Sequence, residues 1–350
     1  MAMVCGLDLH RGQITYDALC EETGELFRGR LWSPDRARFR RWLATEVAPR
    51  AEGAPVKIAV EGCTGWRYVV EEVQAAGFEA HLAEPAETQA ARGRKKRAKT
   101  DRTDAALQRV LLASGELSDS WIPPTVVLEW RERTRLYKTL ADERRAWVQR
   151  IHAELFQHGV AVPEAAITAS ETKQWLVGDE VELSPAGRQR ISVGYKMIAA
   201  IENELVELRG QLQRFSARQP ACRALCQSHF GVGPLTAVVS WAELGDCRRF
   251  SRSMQVVRHA GLDVTVHASD LHRSGGFLSR EGPATLRWAL FEAGKCASRI
   301  QSPDYAYYQA VKGRHGGKVA ALAVARKLAR RCYHTLRAID PEAVYAMPGA

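Results

Sequence analysis

The sequence predicts an α/β domain followed by a mostly helical remainder, and three observations predict it. Short apolar runs alternate with helical periodicity over about the first 115 residues, the pattern of an α/β layer fold. Two long stretches, 126–158 and 187–216, carry apolar residues at heptad spacing. From residue 219 onward the chain reads as helical again, broken by a polar loop from Asp263 to Gly276.

The elements follow in order. Val4 to Leu9 is a short apolar strand containing Asp8 near its end. Gln13 to Leu19 and Glu25 to Trp32 read as two further strands, joined by a turn at Glu22-Thr23-Gly24. Ser33-Pro34-Asp35 can start a helix, whose apolar face is Phe39, Trp42, Leu43 and Val47. Val56 to Val60 is a buried-type strand leading into Glu61. Trp66 to Ala76 is a helix and Phe78 to Ala83 another strand. A basic stretch follows, and Thr100 can N-cap a helix running through Leu112.

In the second long stretch Ile198, Ile201, Leu205, Leu208, Leu212 and Phe215 step by three and four. In the first, Val127, Trp130, Thr134, Tyr137, Ala141, Val148, Ile151 and Leu155 hold the same register, with Arg144 interrupting it. Two such helices each need a partner, so an antiparallel pair, a dimer-forming coiled coil, or both are expected. Within Leu225 to Trp241, HFGVGPLTAVV reads as a helix end, a G-x-G turn and a new helix. It resembles a helix-hairpin-helix, whose turn amides can meet a phosphate, but an ordinary helix turn fits this stretch equally well. The last helix, Lys318 to Arg337, is alanine-rich and basic. The expected division is 1–118, 119–218 and 219–345.

Composition narrows the function. The 350 residues are 46% hydrophobic, enough for ordinary cores, and the formal net charge of +10 favours a polyanionic partner, of which nucleic acid is the commonest. No apolar run reaches the ~20 residues a membrane span needs, and the start lacks the pattern of a signal peptide. The eight cysteines are scattered with no C-x-x-C pair, which suits reduced thiols in a cytoplasmic protein. Cys222, Cys226 and His229 come nearest to a zinc set but lack a second ligand pair, so no zinc is expected.

Four acids stand out by position. Asp8 and Glu61 lie at strand ends, and Asp101 and Asp104 sit one turn apart at a helix start. Singly, each can be a solvent-facing acid, and Asp101 can simply favour the helix dipole. Together they offer the hard oxygen ligands that magnesium takes, and two such ions can clamp the oxygens of a phosphoryl transfer. The run RGRKKRAKTDRTDA at 92–105 presses Arg92, Arg94, Lys95, Lys96, Arg97, Lys99 and Arg102 against the last two acids. It is either a solvated charge run or a phosphate-binding segment beside a metal. Lys318, Arg326, Lys327 and Arg330 of the last helix are further candidates for nucleic-acid contact.

GLDLHR at 6–11, AVEGCTGWRYVV at 59–70 and AEPAETQAARGRKKRAKTDRTDA at 83–105 resemble the DEDD transposases of insertion sequences (insertion-sequence family one-ten), the bridge-RNA-guided recombinases. The likeness continues through 225–338. It implies a RuvC-like, RNase H-type domain, then a coiled coil, then a mostly helical transposase domain. It places the family's four acids on Asp8, Glu61, Asp101 and Asp104, with Mg²⁺ or Mn²⁺ as cofactor. It also implies a nucleophilic serine between Gly261-Leu262 and the turn Leu278-Ser279-Arg280-Glu281-Gly282. Ungapped register puts that serine on Ser269, although Ala268 replaces the first serine of the family's pair and Asp270 and Leu271 replace the glycines that usually follow. A shift within the loop would select Ser274, and Ser279 reads as a helix cap.

The implied partners are target and donor DNA, a structured bridge RNA and further copies of the chain, as a dimer or a tetramer when synapsed. The acids of one subunit and the serine of another would then form a composite site. The rival reading is a metal-dependent nuclease or junction resolvase on the same fold, attacking with water. A third is a nucleic-acid-binding protein with a decayed site, against which four intact acids argue.

Overall fold

A computed structural model describes residues 2–91, 100–162, 166–178 and 181–346, except 266, 270, 271 and 275; residues 267–269 and 272–274 are described by their backbone only. The basic segment 92–99 therefore lies outside the described residues. The chain forms two compact units, Met1–Ile122 and Pro123–Ala350.

The first unit carries strands β1 (Met3–Leu9), β2 (Gln13–Cys20) and β3 (Leu26–Trp32), helices α1 (Arg36–Trp42) and α2 (Ala48–Ala51), β4 (Val56–Glu61), α3 (Trp66–Ala75), β5 (Glu79–Ala83), α4 (Pro85–Ala91) and α5 (Asp101–Ser114). One sheet orders the strands β3-β2-β1-β4-β5. The first three form an antiparallel meander, and β4 and β5 run parallel with β1. A meander needs only turns, whereas the parallel joins need crossovers, which α1 to α3 provide.

Alternation along the strands sorts side chains between two faces. Met3, Cys5, Leu7, Ile58 and Val60 face one core with Phe39, Trp42, Val69 and Val73 of the crossover helices. Val4 and Ala59 face the other way, against Leu112 of α5. Gly6 and Asp8 share that second face. A Cβ on Gly6 would lie 2.1 Å from the Ala105 carbonyl oxygen and 2.5 Å from the Arg109 nitrogen, so α5 rests its backbone directly on β1.

The second unit holds α6 (Thr125–Gln157), α7 (Ser170–Val177), α8 (Pro185–Arg218), α9 (Pro220–Ser228), α10 (Pro234–Leu244), α11 (Ser253–His259), β6 (His267–Ser269), β7 (His272–Ser274), α12 (Ala284–Lys295), α13 (Tyr305–His315), α14 (Gly317–Ala338) and α15 (Pro341–Tyr345). Helices α6 and α8 lie antiparallel. Trp130 stacks on Phe215 at 3.9 Å, Tyr137 accepts from Arg209, Arg144 pairs with Glu202, and Gly194 receives Ile151. The interruption at Arg144 is thus a cross-helix ion pair. Every seam residue from Ile198 to Phe215 is buried within this one chain.

Helix α10 is buried from Thr236 to Leu244. Its last carbonyls accept from cations of other helices: Arg131 on Ala242, Arg249 on Leu244. Such donors satisfy the orphan carbonyls and complement the negative end of the helix dipole. Burial, together with the charge of Arg131, lowers the Arg249 guanidinium to about 10.

The stretch read as a polar loop, Asp263 to Gly276, instead contains the antiparallel pair β6–β7. The alternation of Val264, Val266 and Ala268 carried that signal, masked by the histidines and arginine around it. No helix among the described residues is long and apolar enough to cross a membrane.

In α13–α14, burial opposes ionisation of Asp304, but hydrogen bonds and charge from Arg331 and Lys327 outweigh it and hold the carboxyl below its ordinary range. With the folded value below the unfolded one, this stabilisation is complete above the ordinary aspartate value of about 3.9 and disappears as pH falls through the lower value. Asp304→Asn should destabilise the unit at neutral pH and flatten the acid limb of its stability curve, read by urea melts from pH 7 to 3. Gly6→Ala should cost roughly 1–3 kcal/mol by overpacking, measured the same way.

Candidate functional site: a carboxylate cluster beneath a helix start

The pairing of β1 with β4 runs from Met3↔Val56 to Leu7↔Val60. One residue further, Asp8 and Glu61 stand side by side on the α5 face, their backbones one strand spacing of about 4.8 Å apart. Asp8 is buried and Glu61 is half-buried.

Helix α5 supplies the other acids. Thr100 caps it: its hydroxyl accepts from the Thr103 amide at 3.3 Å, while the Thr103 hydroxyl accepts from the Thr100 amide at 3.1 Å. This fixes the first turn, so Asp101 and Asp104 emerge where the helix crosses the strand ends. Asp104 is buried, and Asp101 accepts a 2.6 Å hydrogen bond from Gln13 Nε2.

The electrostatics follow from this geometry. Burial pushes the Asp8 carboxyl above its ordinary range; His10 opposes this, and the charges of Asp101 and Asp104 add to it. Burial also raises the Cys63 thiol, with Glu61 and then Asp8 contributing. Like charges held this close favour a proton or a cation among them.

His10 is the residue the sequence reading missed. Its Nε2 lies 3.2 Å from Asp8 Oδ2 and 3.7 Å from Asp101 Oδ1. Among the described residues, Asp8, His10 and Asp101 can present ligand atoms all within 4.8 Å of one another. The signal was available as spacing, since residues two apart on an extended segment project the same way. Cys222, Cys226 and His229 do not converge in this way: His229 bonds Thr335 at 2.9 Å and Cys226 contacts Ser216.

A buried ion network holds α5 in place. Asp17 of β2, opposite Gly6, accepts from Arg109 of α5 and from Arg28 of β3. Asp17 is 3% exposed, so losing both cations would strand a buried charge.

Arg92, Arg94, Lys95, Lys96, Arg97 and Lys99 fall outside the described residues, while Arg102 is exposed on the first turn of α5. On α14, Lys318 is exposed, and Arg330 reaches the Ser253 hydroxyl at 3.3 Å. Arg326 donates to the Leu262 carbonyl and Lys327 is held by Asp304, so these two have structural partners.

Ser269 pairs with His272 and Ser274 with His267, which puts the two serines at opposite ends of the hairpin. Its base is tightly built. The Ser279 amide donates to the Asp263 carbonyl at 3.1 Å and the Ser279 hydroxyl donates to the Asp263 carboxylate. Gly261, Arg280 and Gly282 all have positive φ, and a Cβ on Gly282 would lie 2.0 Å from the His259 carbonyl oxygen. Ser279 thus closes the hairpin base.

Oxygen donors gathered at the strand ends of a mixed sheet, in a chain this basic, fit the class of nucleic-acid-processing enzymes. Residues 5–159 match the DEDD transposase model of the IS110 group, and residues 223–309 match the model described as Transposase IS116/IS110/IS902 family. The chain belongs to this family of transposases. It is 31% identical over 276 residues to y4rJ of Sinorhizobium fredii, a protein whose name assigns it provisionally to the transposases. It is 24% identical over 246 residues to the transposase for insertion sequence element IS1111A of Coxiella burnetii. These alignments take in 73% and 69% of this chain and, in each case, 66% of the relative, just under two thirds of its length.

Asp17→Ala should cost about 3–5 kcal/mol, because Arg109 would keep its charge in a largely buried place without its partner. Guanidinium melts of the variant check this. The double change Asp17→Leu with Arg109→Met should recover much of the loss.

Proposed function

We propose that this protein cuts and rejoins DNA strands, with Asp8, Glu61, Asp101 and Asp104 holding Mg²⁺ or Mn²⁺ in a RuvC-like, RNase H-type unit. The observation that carries the reading is the register that sets Glu61 beside Asp8 on the one sheet face covered by the start of α5. An antiparallel meander continued by two parallel strands supports the RNase H-type assignment. The donor set fits the ion: four carboxylates give hard oxygens, and the Asp8 carboxyl, raised first by burial and then by the charges of Asp101 and Asp104, is one that a bound cation would favour in its ionised form. When bound, a divalent ion supplies charge neutralisation at the reacting phosphate.

The chain's own groups do the rest. Gln13 and His10 orient Asp101 and Asp8. The Ser269 hydroxyl is the nucleophile in this reading: its Oγ bonds to phosphorus as one ester oxygen of the strand leaves and takes up a proton. The phosphoserine ester retains a bond that a hydroxyl of a second strand can displace, returning the serine. A structured bridge RNA selects target and donor, and the acids of one subunit work with the serine of another in a dimer or tetramer. The basic segment 92–99 and Arg102 meet the phosphates that the acids alone would repel. The protein then acts in the bacterial cytoplasm, on nucleoid DNA.

Asn substitution of each acid should abolish Mg²⁺-dependent cleavage of a DNA substrate and weaken Mn²⁺ binding in calorimetry. Full activity in any one variant removes that acid from the centre. Ser269→Ala should leave folding intact and eliminate a covalent protein–DNA adduct on denaturing gels. An adduct mapped to Ser274 moves the nucleophile along the hairpin. Cleavage without any adduct, undiminished in both serine variants, would establish attack by water instead.

A further inference from the structure

Beside the carboxylates, the same sheet face turns from acidic to basic. Asp8 pairs with Thr15 on β2, and Thr15 pairs with Arg30 on β3. With Glu61 next to Asp8, the row across four strands reads Glu61, Asp8, Thr15, Arg30. In one flanking row Asp17 pairs with Arg28, repeating the change; in the other Gln13, which holds Asp101, pairs with Trp32. Strand alternation puts Arg28, Arg30 and Trp32 on one face of the edge strand, all exposed.

A cavity of about 610 Å³ opens there, lined by Thr15, Arg28, Arg30, Trp32, Arg102 and Thr103 among others. The charge inside it is not spent on the fold. Arg28 is tied to Asp17, but Arg30 and Arg102 have no acidic partner among the described residues. Trp32 is 60% exposed, with the Arg30 guanidinium 5.7 Å from the ring centre. The Thr15 hydroxyl is buried and has no hydrogen-bond partner. An exposed indole with two unpaired guanidiniums at a cavity mouth is ill-suited to core packing. It suits a base face and the phosphates on either side of it.

We propose that this cavity seats the DNA strand next to the phosphate held at the carboxylates, Arg30 and Arg102 pairing with backbone phosphate and Trp32 stacking on a base. The inference rests on the catalytic reading above and adds where the strand runs: across the sheet, from β4 and β1 toward β3. Arg30 is two strand spacings from Asp8, about 10 Å. At a rise of roughly 3.4 Å per stacked nucleotide, and more when extended, the seated nucleotide is within about three of the reacting phosphate. Stacking and phosphate pairing carry no base code, so the subsite holds any sequence.

The full chain is tested by anisotropy with a labelled single-stranded DNA in EDTA, where no cleavage occurs. Arg30→Gln with Arg102→Gln should lower the salt slope of log affinity by about 1.4, or 0.7 for each phosphate released, while Arg30→Lys keeps it. Trp32→Leu should weaken binding roughly tenfold. A DNA substrate carrying 5-iododeoxyuridine within three nucleotides of its cleavage position should photocrosslink to Trp32. An unchanged slope, undiminished affinity in Trp32→Leu or a crosslink mapped away from β3 overturns the proposal. Loss of RNA binding with DNA binding intact overturns it also, assigning the cavity to RNA. Asp8→Asn separates the two readings. If it still cleaves, the catalytic assignment fails whatever Trp32 does; if it is inactive yet still crosslinks at Trp32, both stand.

Discussion

Everything in the first unit depends on how closely α5 approaches β1. Gly6 lets helix backbone meet strand backbone, and a methyl group there would collide with the Ala105 carbonyl. The contact brings the first turn of α5 over the end of β1, so Asp101 and Asp104 come near Asp8, more than 90 residues earlier. The Arg109–Asp17–Arg28 network then fixes the rotation of the helix with directional hydrogen bonds that apolar packing alone would not supply. A site built from separate elements needs both: closeness from glycine, orientation from a buried ion network.

The sheet face below α5 is graded in charge. Carboxylates cluster where β1 and β4 end, and guanidiniums gather on β3, two strands away. Neither half is suited to a polyanion alone, since acids repel phosphate and an array of arginines offers no chemistry. Side by side they can hold one strand and act on it, provided a cation neutralises the acids. The second unit is organised around a different constraint, the burial of α10. Arg131, Arg249 and His259 converge on its terminal carbonyls, and burial depresses the His259 imidazole to about 4, keeping it neutral. This packed centre supports the tight base from which the serine-bearing hairpin extends.

Much of this was legible in one dimension. Strands and helices of the first unit follow local periodicity, and Thr100 was readable as a cap because a hydroxyl before an amphipathic run satisfies a free helix amide. Strand-end acids were readable because period-two alternation breaks where a strand leaves its core. The hairpin within 263–279 was only faintly legible, since the alternation of Val264, Val266 and Ala268 is short and the polar residues around it obscure it. His10 was legible only through its two-residue spacing from Asp8, a weak signal just past the end of the strand.

What the sequence by itself determined is the set of local elements and the family, because both depend on residues near one another in the chain. The tertiary structure decided which acid faces which, that the heptad seams meet within one chain, that Arg326 and Lys327 are engaged internally, and that Arg30, Arg102 and Trp32 share a cavity. The physical reason is register. Sheet pairing and helix docking join residues far apart in sequence, and a shift of one residue would turn each of these side chains to the opposite face.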